Sequence, residues 1–385
     1  MKKYIFFVVG VMCTLLSHTA YAIDLNKSDA NIIGHVLEKK TGEHLPYMTV
    51  ALKGTTIGTM TDGTGHYFLK NLPEGEFILS VSAVGYKPQE RKVTLKRGKT
   101  LEENFELEED MVALDGVVVT ANRNETARRL APTLVKVVTP KLFDMTNSHT
   151  LSQGLVFQPG VRVENDCQNC GYSQVRINGM DGKYTQILID SRPIFSALAG
   201  VYGLEQIPAN MIERVEVVRG GGSALFGSSA IAGTVNIITK EPLRNSGSFA
   251  HSISNFDGSG SFDNNTTLNL SLVSSDNKMG AYIYGQNRHR SEWDSNGDSF
   301  SELPKLKNQT VGVNAYYRLS PYSKLNLEYH HMEEFRRGGN RFDLPPHIAE
   351  DANLNGSGEP GLVEQIEHSI NTGGLKFSAF SKDQK

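Results

Sequence analysis

The stretch RVEVVRGGGSALFGSSAIAGTVNIITKEP, residues 214–242, nearly has the spacing of a phosphate-binding loop, because four residues separate Gly222 from Gly227. Such a loop needs a lysine after its last glycine to reach the phosphates, and then a helix whose N-terminus faces them. Ser228 stands at the position of the lysine, and the β-branched residues of 234–239 predict a strand instead of a helix. We therefore expect two strands joined by a flexible connection of small residues, and no bound nucleotide.

The N-terminal residues 1–22 have the features of a secretory signal peptide. Two lysines precede an apolar run at 4–16, and the alanines at 20 and 22 suit a cleavage site. The apolar run is too short to span a bilayer as a helix. We therefore expect the mature chain to lie outside the cytoplasm.

The composition is that of a folded, glycine-rich protein without a strong excess of either charge. Hydrophobic residues make up 39% of the 385 residues, which is ordinary for a globular chain, whereas the 37 glycines favour turns and β-structure. The net charge of -3 does not suggest nucleic acid as a partner. Beyond the signal peptide only Cys167 and Cys170 remain, and their spacing allows a local disulfide, a redox dithiol or half of a metal site. We expect the disulfide, because the sequence offers no second cysteine pair or nearby histidine to complete a metal site.

Residues 23–110 are expected to form a small domain. Between 31 and 108, short apolar runs alternate with turn residues at close spacing, which is typical of an antiparallel β-sandwich. TDGTGHY at 61–67 and GY at 85–86 resemble the carboxypeptidase regulatory-like domain, which implies a transthyretin-like fold of about seven strands. That module is an accessory in its family, and the sequence carries no protease nucleophile or zinc motif beside it.

Three motifs in residues 122–242 resemble the plug domain of TonB-dependent outer-membrane receptors, in the order and at the spacing of that family. They are LSQGLVFQPGVRV (151–163), VRINGMDGKYTQILIDSRPI (175–194) and IPANMIERVEVVRGGGSALFGSSAIAGTVNIITKEP (207–242). The sequence departs from the family at Ser191 and Gly221, where glycine and proline are frequent, and both departures bear on turn geometry. The resemblance implies a mixed α/β plug in which the glycine-rich stretch joins two strands and lets the backbone pack closely.

Residues 111–121 precede the plug and include a segment that resembles the TonB box. This segment reads DGVVVTA and comprises Asp115, Gly116, Val117, Val118, Val119, Thr120 and Ala121. In the family, the periplasmic protein TonB, working with ExbB and ExbD, pairs with this peptide. Pairing of this kind is β-strand addition, in which backbone hydrogen bonds supply the affinity.

Residues 243–385 show the pattern of a transmembrane antiparallel β-barrel, in which strands of about ten residues alternate apolar and polar positions. Six segments fit this pattern: 248–256, 266–274, 279–288, 308–319, 323–333 and 370–381. Their connections are expected to alternate long and short, starting with a long one on the outer side. Receptors of this family close with about 22 strands, and six cannot surround a plug, so we expect an N-terminal fragment of a longer receptor.

The resemblance implies that this mainly β protein is a receptor of the bacterial outer membrane, in contact with the membrane lipid. It would take up a scarce metal chelate, meaning a ferric siderophore, haem or cobalamin, in an energy-coupled step that breaks no bond in the ligand. We therefore assign no enzymatic activity, catalytic residue, cofactor or metal site. Two alternatives stay open, namely the oligosaccharide-importing branch of the family and a surface adhesin or structural protein.

The outer loops of the plug hold the candidate ligand contacts. Tyr172, Phe195 and Tyr202 lie on these loops among small residues, where aromatic side chains supply apolar area at low entropic cost. Packing of Phe195 and Tyr202 against the barrel wall is the alternative. The wall carries His330 and His331, and strand alternation places one of the two inward as a weaker candidate for a haem ligand.

Overall fold

The computed structural model describes residues 29–83, 86–109, 117–118, 126–127, 135–167, 172–193, 207–258 and 260–380. Within these residues the chain is mainly β, as the sequence predicts, and forms a β-sandwich, a mixed plug domain and a six-stranded sheet. The signal peptide expected at 1–22 lies outside the described residues. None of the helices in the described part of the chain is both long enough and apolar enough to cross a membrane.

The accessory domain is the β-sandwich. Its strands are β1 (Ala30–Glu38), β2 (Thr49–Leu52), β3 (Gly58–Met60), β4 (His66–Leu72), β5 (Gly75–Ser82), β6 (Gln89–Leu95), β7 (Thr100–Glu102) and β8 (Phe105–Leu107). One sheet has the order β4-β1-β7 with β8 also paired to β1, and the other has the order β3-β2-β5-β6. Alternate side chains from both sheets form one apolar core, in which Ile32, Leu69 and Leu79 are fully buried.

The accessory domain has one strand more than the seven or so that the resemblance implies. The last segment divides into β7 and β8, which both pair with β1 in parallel. Between them, the hydroxyl of Tyr67 donates a hydrogen bond of 2.6 Å to the carbonyl oxygen of Glu103. This side-chain bond replaces a ladder bond, so the backbone leaves the regular strand geometry for one step.

Two short strands follow the accessory domain. They are β9 (Val117–Val118) and β10 (Thr126–Ala127), and they pair antiparallel, with Val117 opposite Ala127 and Val118 opposite Thr126. The remaining residues of the segment that resembles a TonB box, Asp115, Gly116, Val119, Thr120 and Ala121, lie outside the described residues.

The plug domain combines a sheet, a hairpin and short helices. Its strands are β11 (Val135–Val138), β12 (Val161–Cys167), β13 (Tyr172–Ile177), β14 (Thr185–Ile189), β15 (Arg192–Pro193), β16 (Ile212–Arg219) and β17 (Gly233–Thr239), and its helices are α1 (Pro140–Met145), α2 (Leu151–Leu155) and α3 (Ser223–Phe226), with 3-10 turns at Gly182–Tyr184 and Ala209–Met211. The sheet has the order β11-β16-β17-β14-β15, and β12 and β13 form a separate hairpin. Side chains from α1, α2, the sheet and the hairpin share one apolar core.

The glycine-rich stretch joins two antiparallel strands, β16 and β17, as the sequence predicts. A Cβ at Gly233 would lie 2.4 Å from the carbonyl oxygen of Val218, so only glycine allows this approach of the two strands. The connection is not simply flexible, however, because it contains the one-turn helix α3. Phe226 of this helix is buried against Leu188 and Ala230, which fixes the turn.

The remaining strands form a six-stranded antiparallel sheet, called the wall below. They are β18 (Ser246–Asn255), β19 (Phe262–Val273), β20 (Met279–Arg290), β21 (Lys305–Ser320), β22 (Ser323–Gly339) and β23 (Val363–Ala379), paired in chain order, and a short helix α4 (Pro346–Glu350) lies between the last two. The predicted alternation is confirmed: Leu272 and Leu327 are 50% and 48% exposed, whereas Asn308 is 1% exposed. One face of the wall is therefore apolar and open, and the other is polar and covered.

Each of the six wall strands extends beyond its predicted segment at one end or both. The segments expected at 308–319, 323–333 and 370–381 are β21, β22 and β23, and β22 pairs with β23 as far as Gly339 opposite Val363. Ladder hydrogen bonds do not require apolar side chains, so pairing continues where the apolar alternation that marks a strand in the sequence has ended.

The connections of the wall define a turn end and a loop end. Residues 274–278 and 321–322 connect strands at the turn end, and residues 291–304 and 340–362 form long connections at the loop end. The expectation of a long first connection was wrong, because β18 and β19 pair as far as Asn255 opposite Phe262 and leave only residues 256–261 between them.

The accessory domain contacts the turn end of the wall. The backbone N–H of Thr56 donates a hydrogen bond of 2.8 Å to the carbonyl oxygen of Pro321, in the shortest connection. The guanidinium of Arg244, just before β18, lies 4.4 Å from the ring centre of Tyr47. These contacts place the sandwich on the side of the wall that is opposite to the long connections.

Candidate functional site

The covered face of the wall is organised in rows that cross the strands. In an antiparallel register, side chains opposite one another on one face are neighbours. One such row runs across all six strands and is polar throughout: Ser252, Asn265, Arg288, Asn308, Glu334 and His368. The amide of Asn308 donates to the carboxylate of Glu334 over 3.1 Å, and Nε of Arg288 donates to Asp263 over 3.0 Å. The row is thus a polar belt whose members bond to one another or to neighbouring polar side chains, and it lies nearer the loop end.

A second row contains an aromatic contact that spans a strand. Tyr284 of β20 and His330 of β22 both lie opposite Gly312 of β21, on its two sides. The hydroxyl of Tyr284 reaches Nδ1 of His330 at 2.6 Å, and a Cβ at Gly312 would lie 2.3 Å from the Tyr284 ring. Glycine is required here because the phenol ring occupies the space above it.

The histidine pair of the wall divides between the two faces, as alternation predicts. His330 is 2% exposed and bonded to Tyr284. His331 points to the open face, where its Nδ1 lies 2.9 Å from the amide oxygen of Asn371. The buried, bonded position of His330 favours a packing role over haem ligation.

Polar contacts join the plug to the wall near the turn end. Arg192 of β15 forms an ion pair with Glu328 of β22. The amide of Asn314 donates to the hydroxyl of Thr239 over 3.0 Å, and that hydroxyl donates to the carboxylate of Asp190 over 2.7 Å. These bonds fix the last plug strand and the turn before β15 to two neighbouring wall strands.

Two further contacts hold the segment before β16 and the segment before α2. The hydroxyl of Tyr282 donates to the carbonyl oxygen of Asn210 over 2.8 Å, and the amide of Asn210 donates to Asn269 over 3.0 Å. Nε2 of His149 lies 3.1 Å from the hydroxyl of Ser252, a member of the polar row. The term plug seat is used below for the wall residues of these contacts and of the two rows. They are Ser252, Asn265, Asn269, Tyr282, Tyr284, Arg288, Asn308, Gly312, Asn314, Glu328, His330, Glu334 and His368.

The turn between β14 and β15 shows the effect of a departure from the family pattern. Asp190 and Ser191 have φ values of 45° and 66°, in the left-handed region that favours glycine. The backbone N–H of Ser191 donates to the amide oxygen of Asn236 over 2.9 Å, and the amide of Asn236 donates back to the serine hydroxyl over 3.2 Å. These two bonds hold a serine in a conformation that glycine adopts more readily.

Of the residues predicted to contact the ligand or to form the disulfide, only Cys167 and Tyr172 are among the described residues. The backbone of Cys167 pairs with that of Tyr172 at the end of the hairpin where β12 and β13 are connected. Cys170, Phe195 and Tyr202 lie outside the described residues. The disulfide and the aromatic ligand contacts therefore stay predictions.

Comparison with known proteins decides the family. A model of the CarboxypepD_reg-like domain matches residues 32–119, and a model of the TonB-dependent Receptor Plug Domain matches residues 127–234. The chain belongs to the TonB-dependent receptors. The resemblance of the sequence to this family is thus confirmed for both the accessory domain and the plug.

Curated relatives of this receptor include two bacterial proteins described as vitamin B12 transporter BtuB. The protein of Vibrio vulnificus is 35% identical over 176 residues, which cover 44% of this chain and 28% of that protein. The protein of Photobacterium profundum is 37% identical over 128 residues, which cover 32% of this chain and 20% of that protein. The matched parts thus span less than a third of either relative.

Solved structures share the fold of the receptor. The siderophore receptor PirA of Acinetobacter baumannii has a TM-score of 0.50 at 23% identity, over 64% of this chain and 38% of that one. FpvA of P. aeruginosa, in a structure bound to heterologous pyoverdines, has a TM-score of 0.53 at 15% identity, over 72% of this chain and 37% of that one. At these identities the likeness concerns the fold alone.

The plug seat of the receptor was not predicted from the sequence. Alternation indicates which side chains of a wall strand face inward, but not which inward positions of neighbouring strands stand opposite each other. Tyr284 and His330 are 46 positions apart, and neither belongs to a motif. Only the register of β20, β21 and β22 brings the two side chains together.

Proposed function

We propose that this chain is the plug-bearing part of an outer-membrane receptor for energy-coupled uptake of a metal chelate. The observation that carries the proposal is the plug domain, matched over 127–234, bonded to the polar face of a wall whose other face is apolar. A plug held at this seat closes the path along the polar face of the wall. Passage of a ligand therefore requires a conformational change of the plug. No step of this function breaks a bond in the ligand.

The open face of the wall supports insertion in a lipid bilayer. Phe249 and Phe377 are 71% and 62% exposed there, together with the leucines of β19 and β22. A contiguous apolar surface of this kind is unfavourable in water and typical of barrel strands in an outer membrane. The accessory domain, at the turn end, would then lie in the periplasm.

The coupling partner in this proposal is TonB, with ExbB and ExbD. The segment Asp115 to Ala121 would add as a strand to TonB, and its described residues, Val117 and Val118, are already in an extended, paired conformation. Extended backbone in this segment is what strand addition requires.

Cobalamin is the first candidate among the metal chelates. The curated relatives that match at 35% and 37% identity are described as vitamin B12 transporters, whereas siderophore receptors share the fold at lower identity. Haem stays a candidate of the same class. We propose Tyr172, Phe195 and Tyr202 as the ligand contacts on the outer side of the plug, next to a disulfide between Cys167 and Cys170.

A substitution in the coupling segment tests the proposal. Val118→Pro removes a backbone donor and fixes the backbone, so we expect uptake of labelled cyanocobalamin by cells to be abolished while binding to the cell surface is unchanged. Val118→Ala keeps the N–H and is the matched control, with normal uptake expected.

Two outcomes would contradict the proposal. Normal uptake by the Val118→Pro receptor would place the coupling segment elsewhere. Uptake of an oligosaccharide, but of neither cobalamin, ferric siderophore nor haem, would move the chain to the other branch of the family.

A further inference from the structure

Three histidines meet on the surface of the accessory domain. The ring centre of His44 lies 4.9 Å from that of His66 and 5.2 Å from that of His35, and the rings of His35 and His66 are 5.7 Å apart. His44 and His66 are exposed, and His35 is half-buried. The three positions follow no metal-binding spacing in the sequence, which is why sequence analysis assigned no site there.

The backbone fixes the three positions through one buried residue, Val36. The N–H of Val36 donates to the carbonyl oxygen of Gly65 over 3.0 Å, and its carbonyl oxygen accepts from the N–H of Leu45 over 2.8 Å. Each histidine is the chain neighbour of one of these three residues. His35 and His66 are also direct partners in the register of β1 and β4. The cluster is thus held by the fold and not by the side chains themselves.

A hydrogen-bond relay sets the tautomer of His66. The hydroxyl of Thr64 donates its single hydrogen to the carboxylate of Asp62 over 2.7 Å. The same hydroxyl oxygen lies 3.0 Å from Nδ1 of His66, and it can only accept there, so Nδ1 carries the hydrogen. In a neutral imidazole this leaves the lone pair on Nε2.

The relay at His66 is of the kind that metal-binding histidines use. A ligating imidazole usually donates its other N–H to an oxygen that fixes the ring and raises its basicity. A tetrahedral zinc ion about 2.1 Å from one nitrogen of each ring would hold the three ring centres about 5 Å apart. The observed separations lie around this value. Stacking of the histidine rings on one another does not require a hydrogen-bond relay that fixes one tautomer of His66.

We propose that His35, His44 and His66 bind a divalent transition-metal ion, with a fourth position open to water or to a ligand from a partner. Imidazole nitrogens suit zinc, copper and nickel and are poor ligands for calcium or magnesium. The exposed His44, which stacks on His66 at 28°, rotates about its side-chain bonds to direct a nitrogen at the ion. The site is independent of the proposed transport function, since its ligands all belong to the accessory domain.

Zinc binding by the purified, untagged receptor tests the site. After removal of metal with a chelator, we expect the protein to bind one zinc ion per chain in competition with a chromogenic chelator. His44→Ala and His66→Ala each remove a ligand and should weaken binding by more than about tenfold, and Thr64→Val should weaken it by about 10- to 100-fold. His44 and His66 are exposed, so both variants should fold, which thermal unfolding without metal can verify.

Two matched controls separate this site from other metal binding. His347→Ala removes a histidine of α4, far along the chain from the cluster, and should leave zinc affinity unchanged. Asp294→Asn alters the loop at the loop end in which Asp294, Asp298 and Glu302 form an acidic group. Loss of zinc in Asp294→Asn with retention in His44→Ala and His66→Ala would overturn the proposal. The proposal would also be overturned if His44→Ala, His66→Ala and Thr64→Val bound zinc with the same affinity as the unchanged protein and the His347→Ala control.

Discussion

At the scale of single residues, Gly312 decides how the plug seat is packed. The ring of Tyr284 occupies the space of its missing side chain, with Cζ 2.3 Å from the position of a Cβ. We expect Gly312→Ala to lower the free energy of unfolding by about 1–3 kcal/mol, because the ring must move and lose its bond to His330. The measurement is thermal unfolding of the receptor in detergent.

The matched control for this substitution is Gly285→Ala in the neighbouring strand. A Cβ there would meet its nearest atom, the carbonyl oxygen of Thr310, at 3.8 Å, which is an ordinary contact. A glycine in a strand interior is intrinsically unfavourable, so this change should be neutral or slightly stabilising. Equal melting temperatures for the two variants would show that the phenol ring does not need the space.

For such contacts, the sequence predicts which face of the wall a side chain lies on, but not which side chain of a neighbouring strand it meets. Alternation in β22 correctly divides the histidine pair between the two faces, and the structure places His330 on the covered face and His331 on the open face. It contains no information on Tyr284 as the partner of His330, because that depends on the offset between three strands. For the turn at Asp190 and Ser191, the departure from glycine was visible in the sequence, whereas the compensating bonds from Asn236 were not.

At the scale of elements, the ion pair between β15 and β22 attaches the plug to the wall. Removal of the guanidinium in Arg192→Ala leaves Glu328 on the covered face without this partner. We expect faster deuterium exchange in the peptide 185–193, and a coupling energy of about 1 kcal/mol with Glu328→Gln in a double-mutant cycle, since the pair is partly exposed.

A control for this prediction is Arg162→Ala in the hairpin of the plug. Arg162 pairs with Glu164 on its own strand, so its loss removes a plug charge without a contact to the wall. Exchange in the peptide 185–193 should then be unchanged. The same acceleration in both arginine variants would mean that plug charge, and not the wall contact, controls this turn.

Most elements were predictable from local patterns, and the exceptions have physical causes. All six wall strands were found by alternation, but their ends at the loop end were not, since ladder bonds continue past the apolar positions. Helix α3 was missed because four residues carry no periodicity. Its formation depends on burial of Phe226 against Leu188, a contact from a distant part of the chain.

At the scale of the whole molecule, the placement of the accessory domain against the turn end could not be predicted. Each domain has its own apolar core and its own sequence motifs, which specify the domain and not its orientation. The contacts that set the orientation are few and polar or aromatic: Thr56 to Ser320 and Pro321, Thr59 to Leu243, and Arg244 to Tyr47. Such contacts between domains leave no periodic signal in a sequence.

A substitution of Tyr47 tests this placement. Tyr47→Ala removes the ring under Arg244, and a cation–π contact at an exposed site contributes about 0.5–1 kcal/mol, so exchange of the amides in 53–58 should become about two- to fivefold faster. Phe68→Ala is the matched control, because Lys70 lies 4.6 Å from that ring within the same domain. If both variants accelerated exchange in 53–58 equally, the acceleration would arise within the accessory domain and not from its contact with the wall.

The pairing of β9 with β10 has a kinetic consequence for the proposed coupling to TonB. Hydrogen bonds that Val117 and Val118 make to Thr126 and Ala127 are lost when the same backbone edge serves another strand, and new ones of the same kind replace them. Replacing the β9–β10 pairing by pairing with TonB is therefore nearly neutral in free energy. The two steps have a fixed order, because the β9–β10 pair must open before TonB can bind. In the proposed coupling the internal strand would act as a gate, and the capture rate would reach a plateau, set by opening of the pair, as the concentration of the partner rises.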